Sequence, residues 1–134
     1  MKRSIFALAL LASFTVAAQP SNLFILKKSF NEMQPLSIKD SNGVITVVLD
    51  AASITPEIYD TAVYSVCSPA WLHKENTAYL KNTTSVRILN KFSAMGYVLE
   101  KPKATCDKAG EEQEEQSKIT ILSNTHVTTM KDLQ

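Results

Sequence analysis

The apolar pattern is densest between positions 44 and 49, where β-branched and aliphatic side chains follow one another almost without interruption. Such a run is typical of a strand that is covered on both faces or lies inside a small sheet. Just before it, Asn42 and Gly43 tolerate the positive φ angles of a tight turn. We therefore predict a β-hairpin formed by residues 36–40 and 44–49.

The next segment carries the signals of a helix start. Thr55 offers a hydroxyl to cap free backbone N–H groups, Pro56 suits the first helical position, and Glu57 complements the positive end of the helix dipole. At 100° per residue, one half of this helix is apolar and consists of Ile58, Tyr59, Ala62, Val63, Val66 and Cys67. Because Pro69 disfavours helical backbone at the preceding residue, we predict that the helix ends there and that a second short helix covers 69–79.

Two further apolar runs predict a second hairpin. Val86 and Ile88 share one face of the first run, and Tyr97 and Leu99 share one face of the second. A loop of about five to six residues separates the runs. Pairing these rows would place them against the helix that begins at Pro56.

Other segments have weaker patterns. Residues 23–26 suggest an edge strand, guarded against strand pairing by the lysine pair that follows. Residues 107–110 suggest a turn or a single helical turn. The acidic run 111–116 is typical of a solvated loop or a frayed helix. Positions 119–127 allow a last short strand before a loose tail.

Together these elements predict one small α+β domain. It has an antiparallel or mixed sheet of three to five strands, with one main amphipathic helix packed on a face and one disulfide. The domain is expected to span residues 19–134, with loose termini, which is the size of a single unit.

The beginning of the chain has the parts of a secretory signal peptide. Lys2 and Arg3 precede an apolar stretch, and small residues follow it. Val16 and Ala18 occupy the positions that a signal peptidase reads, so we predict that residues 1–18 are removed. The mature protein would then be periplasmic or secreted. The alternative is a buried N-terminal helix.

The net charge of the mature chain argues against two classes of binding partner. The chain has 14 Lys and Arg residues, of which Lys2 and Arg3 lie in the signal peptide, so the mature chain is nearly balanced against its 13 Asp and Glu residues. Nucleic acids and anionic membrane surfaces attract clustered positive charge, for which this balance gives no case. No segment after the signal peptide is long and apolar enough to span a bilayer.

The cysteine count predicts one disulfide bond. Cys67 and Cys106 are the two cysteines of the chain, and in an exported protein such a pair most simply forms one disulfide. The second hairpin would return the chain to the end of the helix after Pro102 stops its strand, which favours the same pairing. Closing a loop of about 40 residues would stabilise the fold by about 4 kcal/mol. A reactive or metal-binding pair has no support from the spacing.

Catalytic chemistry has few candidates. His73 and His126 are the two histidines, and neither lies in a catalytic or zinc-binding pattern. Phosphate-binding and dinucleotide-binding motifs are also missing from the sequence. We therefore predict no catalytic residue, no metal ligand and no cofactor. The alternative, a small envelope hydrolase or a sugar-binding accessory domain, would depend on His126, Asp60 and Tyr64.

Four large side chains outside the apolar stripe indicate a binding surface. Tyr64 lies on the polar half of the helix, Trp71 falls off its stripe, and Phe92 and Met95 lie in the predicted hairpin loop. Exposed aromatic and methionine side chains are enriched in interface cores. These four residues are candidate contacts for another protein. The alternative places Trp71 and Phe92 in the core.

These features predict a non-catalytic binding module. In this hypothesis, the exported and disulfide-stapled protein acts as an inhibitor, an immunity-type protein or an escort for another envelope protein. A structural subunit of an envelope assembly is a further alternative. The sequence predicts neither the identity of the partner nor the oligomeric state.

Overall fold

The computed structural model describes residues 12–13 and 18–134. The predicted signal peptide, residues 1–18, lies mostly outside the described residues. The elements in chain order are α1 (Asn22–Ser29), β1 (Ser37–Ser41), β2 (Val44–Val48), α2 (Pro56–Leu72), β3 (Ser85–Leu89), β4 (Gly96–Glu100), α3 (Pro102–Gly110), α4 (Glu114–Ser123) and β5 (Thr125–Val127). In the described part of the chain, no helix is long and apolar enough to cross a bilayer.

The strands form one mixed sheet in the order β1-β2-β3-β4-β5. β2 and β3 are parallel because α2 crosses over between them, and the other neighbours are antiparallel. The predicted α+β class is confirmed, and the sheet has the largest number of strands that the pattern allowed.

Both predicted hairpins are present. Asn42 and Gly43 have φ angles of 52° and 79°, and they form the two-residue turn between β1 and β2. In the second hairpin the apolar rows pair as predicted, with Val86 opposite Leu99 and Ile88 opposite Tyr97.

The core lies between the sheet and the helices. Buried side chains of α1, α2, α3 and the strands form one cluster. Tyr59 of α2 packs on Tyr97 of β4 with ring centroids 4.8 Å apart, and its hydroxyl lies 2.6 Å from the hydroxyl of Thr125 in β5. Burial raises the pKa of Tyr59 to about 12, so the hydroxyl of this core residue stays neutral.

The main helix begins as predicted but ends later. The hydroxyl of Thr55 accepts a hydrogen bond from the backbone N–H of Ile58 at 3.2 Å, and Pro56 is the first helical residue. The predicted end before Pro69 was wrong, because α2 continues through this proline to Leu72. The predicted second helix at 69–79 was also wrong, since turns follow α2 instead.

Two links to α3 hold the last turn of α2 in helical form. Cys67 precedes Pro69 by two residues and forms the predicted disulfide with Cys106. Trp71 follows Pro69 by two residues and donates its indole N–H to the carbonyl of Cys106 at 2.7 Å. A proline inside a helix costs about 3 kcal/mol. These contacts and the burial of the Pro69 ring offset that cost.

Among the weaker predictions, one was wrong in the type of element and two in its extent. Residues 23–26 belong to α1, which the hydroxyl of Ser21 caps and which buries Leu26 in the core. Residues 107–110 complete the nine-residue α3 rather than forming an isolated turn. Residues 119–121 belong to α4, and the last strand is confined to Thr125–Val127. In each case packing against the core overrides a short local pattern.

Candidate partner-binding site

Tyr64 and Trp71 lie together on α2. They are seven residues apart, which is close to two helical turns, so both side chains lie on one face. Their rings meet edge to face with centroids 5.7 Å apart. Tyr64 is 61% exposed, whereas Trp71 is half-buried against the core. Trp71 is therefore neither a core residue nor a free surface residue.

Phe92 and Met95 lie at a different place. Both belong to the loop between β3 and β4, where they are 68% and 63% exposed. Asn90 anchors this loop by donating a hydrogen bond to the carbonyl of Ala52, ahead of α2. Trp71 is near the other end of α2, roughly 22 Å along the helix axis from Pro56. The four candidate contacts thus form two separate patches.

The Tyr64–Trp71 pair lies in a groove between α2 and α4. This α2–α4 groove has a volume of about 310 Å³. Its apolar floor is formed by Val63, Tyr64, Trp71 and Ile121. Its polar rim is formed by Asp60, Glu114, Ser117 and Lys118. The residues of α4 are spaced at three- and four-residue intervals, which places them on one helix face.

The indole of Trp71 is fixed before any partner arrives. Its N–H is bound to the carbonyl of Cys106, whose side chain is bonded to Cys67 of α2. The ring also lies directly against Gly110, the last residue of α3. A rigid aromatic side chain loses little conformational entropy on binding, so this geometry is suited to contact with a partner.

The rim of the groove has an excess of negative charge. Asp60 contributes one carboxylate from α2 and Glu114 another from α4. Lys118 lies 3.6 Å from Glu114 and neutralises part of this charge. The adjoining depression beside Trp71 is lined by two carboxylates, one of them Glu111, and by two lysines, so it adds no net charge. Residues 111–113 of the acidic run connect α3 to α4, and Glu114 begins α4 at the rim of the groove.

The residues of the hydrolase alternative are not brought together. Asp60 and Tyr64 line the α2–α4 groove. On β5, Thr125 contacts Tyr59 on the helix-covered face of the sheet. Because side chains alternate along a strand, His126 points to the opposite face. The sheet therefore lies between His126 and the other two residues.

His126 joins the C-terminal segment to the sheet. Its Nδ1 lies 3.3 Å from Glu100, and its Nε2 lies 3.1 Å from Asp132. The carboxylate of Asp132 also accepts hydrogen bonds from the backbone N–H and the hydroxyl of Thr129. Each ring nitrogen thus lies beside a carboxylate rather than beside a hydroxyl or thiol nucleophile.

The surroundings of His126 do not form a metal site. The two carboxylates contact opposite edges of the imidazole, so Glu100 and Asp132 cannot converge on an ion bound to one ring nitrogen. Throughout residues 18–134, no group of three or more His, Cys, Asp or Glu side chains is arranged to hold a metal ion. The Cys67 and Cys106 sulfur atoms are consumed by the disulfide.

Comparisons with protein-family models, with curated proteins and with solved structures gave no match for this chain. Function must therefore be inferred from the geometry of the site. Ile121, Glu114 and Gly110 were absent from the sequence-based candidates. Their only signal was spacing on α3 and α4, which becomes informative once α3 is known to pack against α2 and α4 against α3.

Proposed function

We propose that the mature protein is an exported, non-catalytic binding module whose α2–α4 groove holds a segment of another envelope protein. Its role would be that of an inhibitor, an immunity-type protein or an escort. The observation that supports this proposal is the Tyr64–Trp71 pair, in which the indole of Trp71 is hydrogen-bonded to Cys106 and Tyr64 is exposed to solvent.

The energetics of interfaces favour this site. Tyr and Trp are the residues whose truncation most often weakens protein complexes strongly, by about 2 kcal/mol or more. They act best in a pocket that a partner can seal against water, and the apolar floor of Val63 and Ile121 offers such a pocket. A partner that covers Tyr64 would bury an aromatic residue that is now 61% exposed.

The predicted compartment decides where the partner should be sought. A disulfide persists in oxidising compartments such as the periplasm or the extracellular space. The Cys67–Cys106 bond is thus consistent with the export that residues 1–18 predict. An envelope extract is therefore the appropriate source of partners.

Affinity capture from such an extract tests the proposal. The mature protein is immobilised at physiological salt, and retained proteins are identified by mass spectrometry. We expect one protein to be retained by the parent chain and by Phe92→Ala, but to be lost with Tyr64→Ala. Phe92 is a matched control because it is an exposed aromatic residue on the distant loop patch. Unchanged thermal unfolding of each variant verifies that its fold is intact.

Two results would overturn the proposal. Retention of no protein above background would remove the binding function. Loss of the partner with Phe92→Ala but not with Tyr64→Ala would move the binding surface to the loop patch. Sedimentation of the purified protein over a range of concentrations tests the alternative of an assembly subunit, for which self-association is expected.

A further inference from the structure

We infer that the segment held in the α2–α4 groove is basic and amphipathic. In this arrangement Lys or Arg side chains of the partner face Asp60 and Glu114, while a large apolar side chain rests on Val63 and Ile121. The inference depends on the proposed binding function and adds the chemical class of the partner segment.

The first support is the charge of the rim. The carboxylates of Asp60 and Glu114 come from two different helices and border the same groove. Within the described part of the chain, Asp60 forms no ion pair. Lys118 offsets only one of the two carboxylates. Because the chain as a whole is close to neutral, this is a local excess of negative charge that would attract and orient a cationic segment.

The second support is the apolar floor. Val63 is only 2% exposed at its base, and Ile121 and Trp71 form half-buried walls. A volume of about 310 Å³ is at the lower limit of small-molecule pockets, so the groove suits a side chain rather than a cofactor. A purely cationic ligand would leave this floor in contact with water, and a neutral or acidic apolar ligand would leave the carboxylate of Asp60 unpaired. A segment with both properties satisfies both parts.

The inference can be tested before the natural partner is known. A display library of random short peptides is selected on the immobilised, disulfide-bonded protein after depletion on the Tyr64→Ala variant. We expect the enriched peptides to combine Lys or Arg with an aromatic or long aliphatic residue. Selected peptides that lack tryptophan are then synthesised and titrated against the protein. Trp71 is the one tryptophan of the chain, so its fluorescence reports binding at the groove.

Charge variants test the rim directly. We expect the replacement of each carboxylate, in Asp60→Asn and Glu114→Gln, to weaken peptide binding by about two- to fivefold. The affinity of the parent protein should also fall towards about 1 M salt, where the screening length is about 3 Å. Asp50→Asn is the matched control, because Asp50 is an exposed carboxylate in the loop before α2. This variant should bind like the parent.

The outcomes separate the partner's chemistry from the binding function. Enrichment of acidic or uncharged peptides, or an affinity unchanged in the Asp60→Asn/Glu114→Gln double variant, would overturn the basic character of the segment. The binding function would still stand if envelope capture depended on Tyr64. Failure to enrich any peptide over the Tyr64→Ala depletion would instead overturn the groove as the site. Loss of binding with Asp50→Asn would show that the charge effect is not local to the groove, and would also overturn the inference.

Discussion

Gly110 leaves the space that the indole ring of Trp71 occupies. A Cβ atom at position 110 would lie 2.5 Å from both Cδ1 and Nε1 of the ring, which is closer than real Cβ contacts come. The last residue of α3 and the last turn of α2 therefore meet through one glycine and one tryptophan. The position of the proposed binding surface depends on this contact.

We expect Gly110→Ala to lower the free energy of unfolding by about 1–2 kcal/mol. On helix propensity alone the change would raise stability by up to about 1 kcal/mol. The added methyl group, however, overpacks the ring, and overpacking typically costs about 1–3 kcal/mol. Urea unfolding monitored by far-UV circular dichroism, a signal that does not depend on Trp71, measures the sign of the effect.

The same substitution in a Trp71→Phe variant tests whether contact with the indole ring causes the loss of stability. In a Trp71→Phe protein the smaller ring should leave room for the methyl group, so Gly110→Ala should be less destabilising or even stabilising there. An equal loss of stability in both backgrounds would show that the contact between the ring and position 110 is not responsible.

The disulfide should supply a large share of the stability. Replacing Cys67 and Cys106 together with serine is expected to lower the free energy of unfolding by about 2–5 kcal/mol, because the unfolded chain regains the freedom of the open loop. Chemical denaturation of the two proteins measures this difference. Mass spectrometry of the non-reduced protein provides the check on pairing, and two free thiols after export would contradict it.

Pro69→Ala should be mildly stabilising. The substitution restores a backbone N–H that can donate to the carbonyl of Ser65, and it removes the helix penalty of about 3 kcal/mol. Loss of buried ring carbons and greater freedom of the unfolded chain reduce this gain, which leaves about 1 kcal/mol. Denaturant unfolding tests the sign. A clear loss of stability would mean that packing of the Pro69 ring, rather than the links to α3, keeps the last turn of α2 helical.

Acid should loosen the C-terminal segment. The hydrogen bond from the backbone N–H of Thr129 lowers the pKa of Asp132 below its ordinary value of 3.8, with smaller help from the hydroxyl of Thr129 and from His126. The folded pKa is therefore below the unfolded pKa. The stabilisation is complete above the unfolded value and is lost as the pH falls through the folded value.

The amide resonance of Thr129 reports this change. In an NMR titration we expect it to shift as Asp132 becomes protonated, while the amides of β2 and β3 stay in place. In Asp132→Asn the same resonance should no longer titrate. A Thr129 resonance that titrates equally in both proteins would assign the transition to another group.

Several elements could be predicted because their signals are local. Asn42 and Gly43 adopt positive φ angles at small energetic cost, so they define a hairpin turn without help from the rest of the chain. The Thr55 hydroxyl and the Pro56 ring act within one helical turn, and the start of α2 is accordingly where the pattern placed it. The prediction that Cys67 pairs with Cys106 needed only the count of two cysteines and the predicted export of the chain.

The end of α2 and the binding groove depend on contacts between residues distant in the chain. A local rule stops the helix before Pro69, but the disulfide to Cys106 and the hydrogen bond from Trp71 to the same residue keep it helical. Continuation of the helix is what places Tyr64 and Trp71 on one face. The opposite wall of the groove is formed by α4, which packs against α3. No local pattern predicts these contacts, because their energy appears only when the distant segments meet.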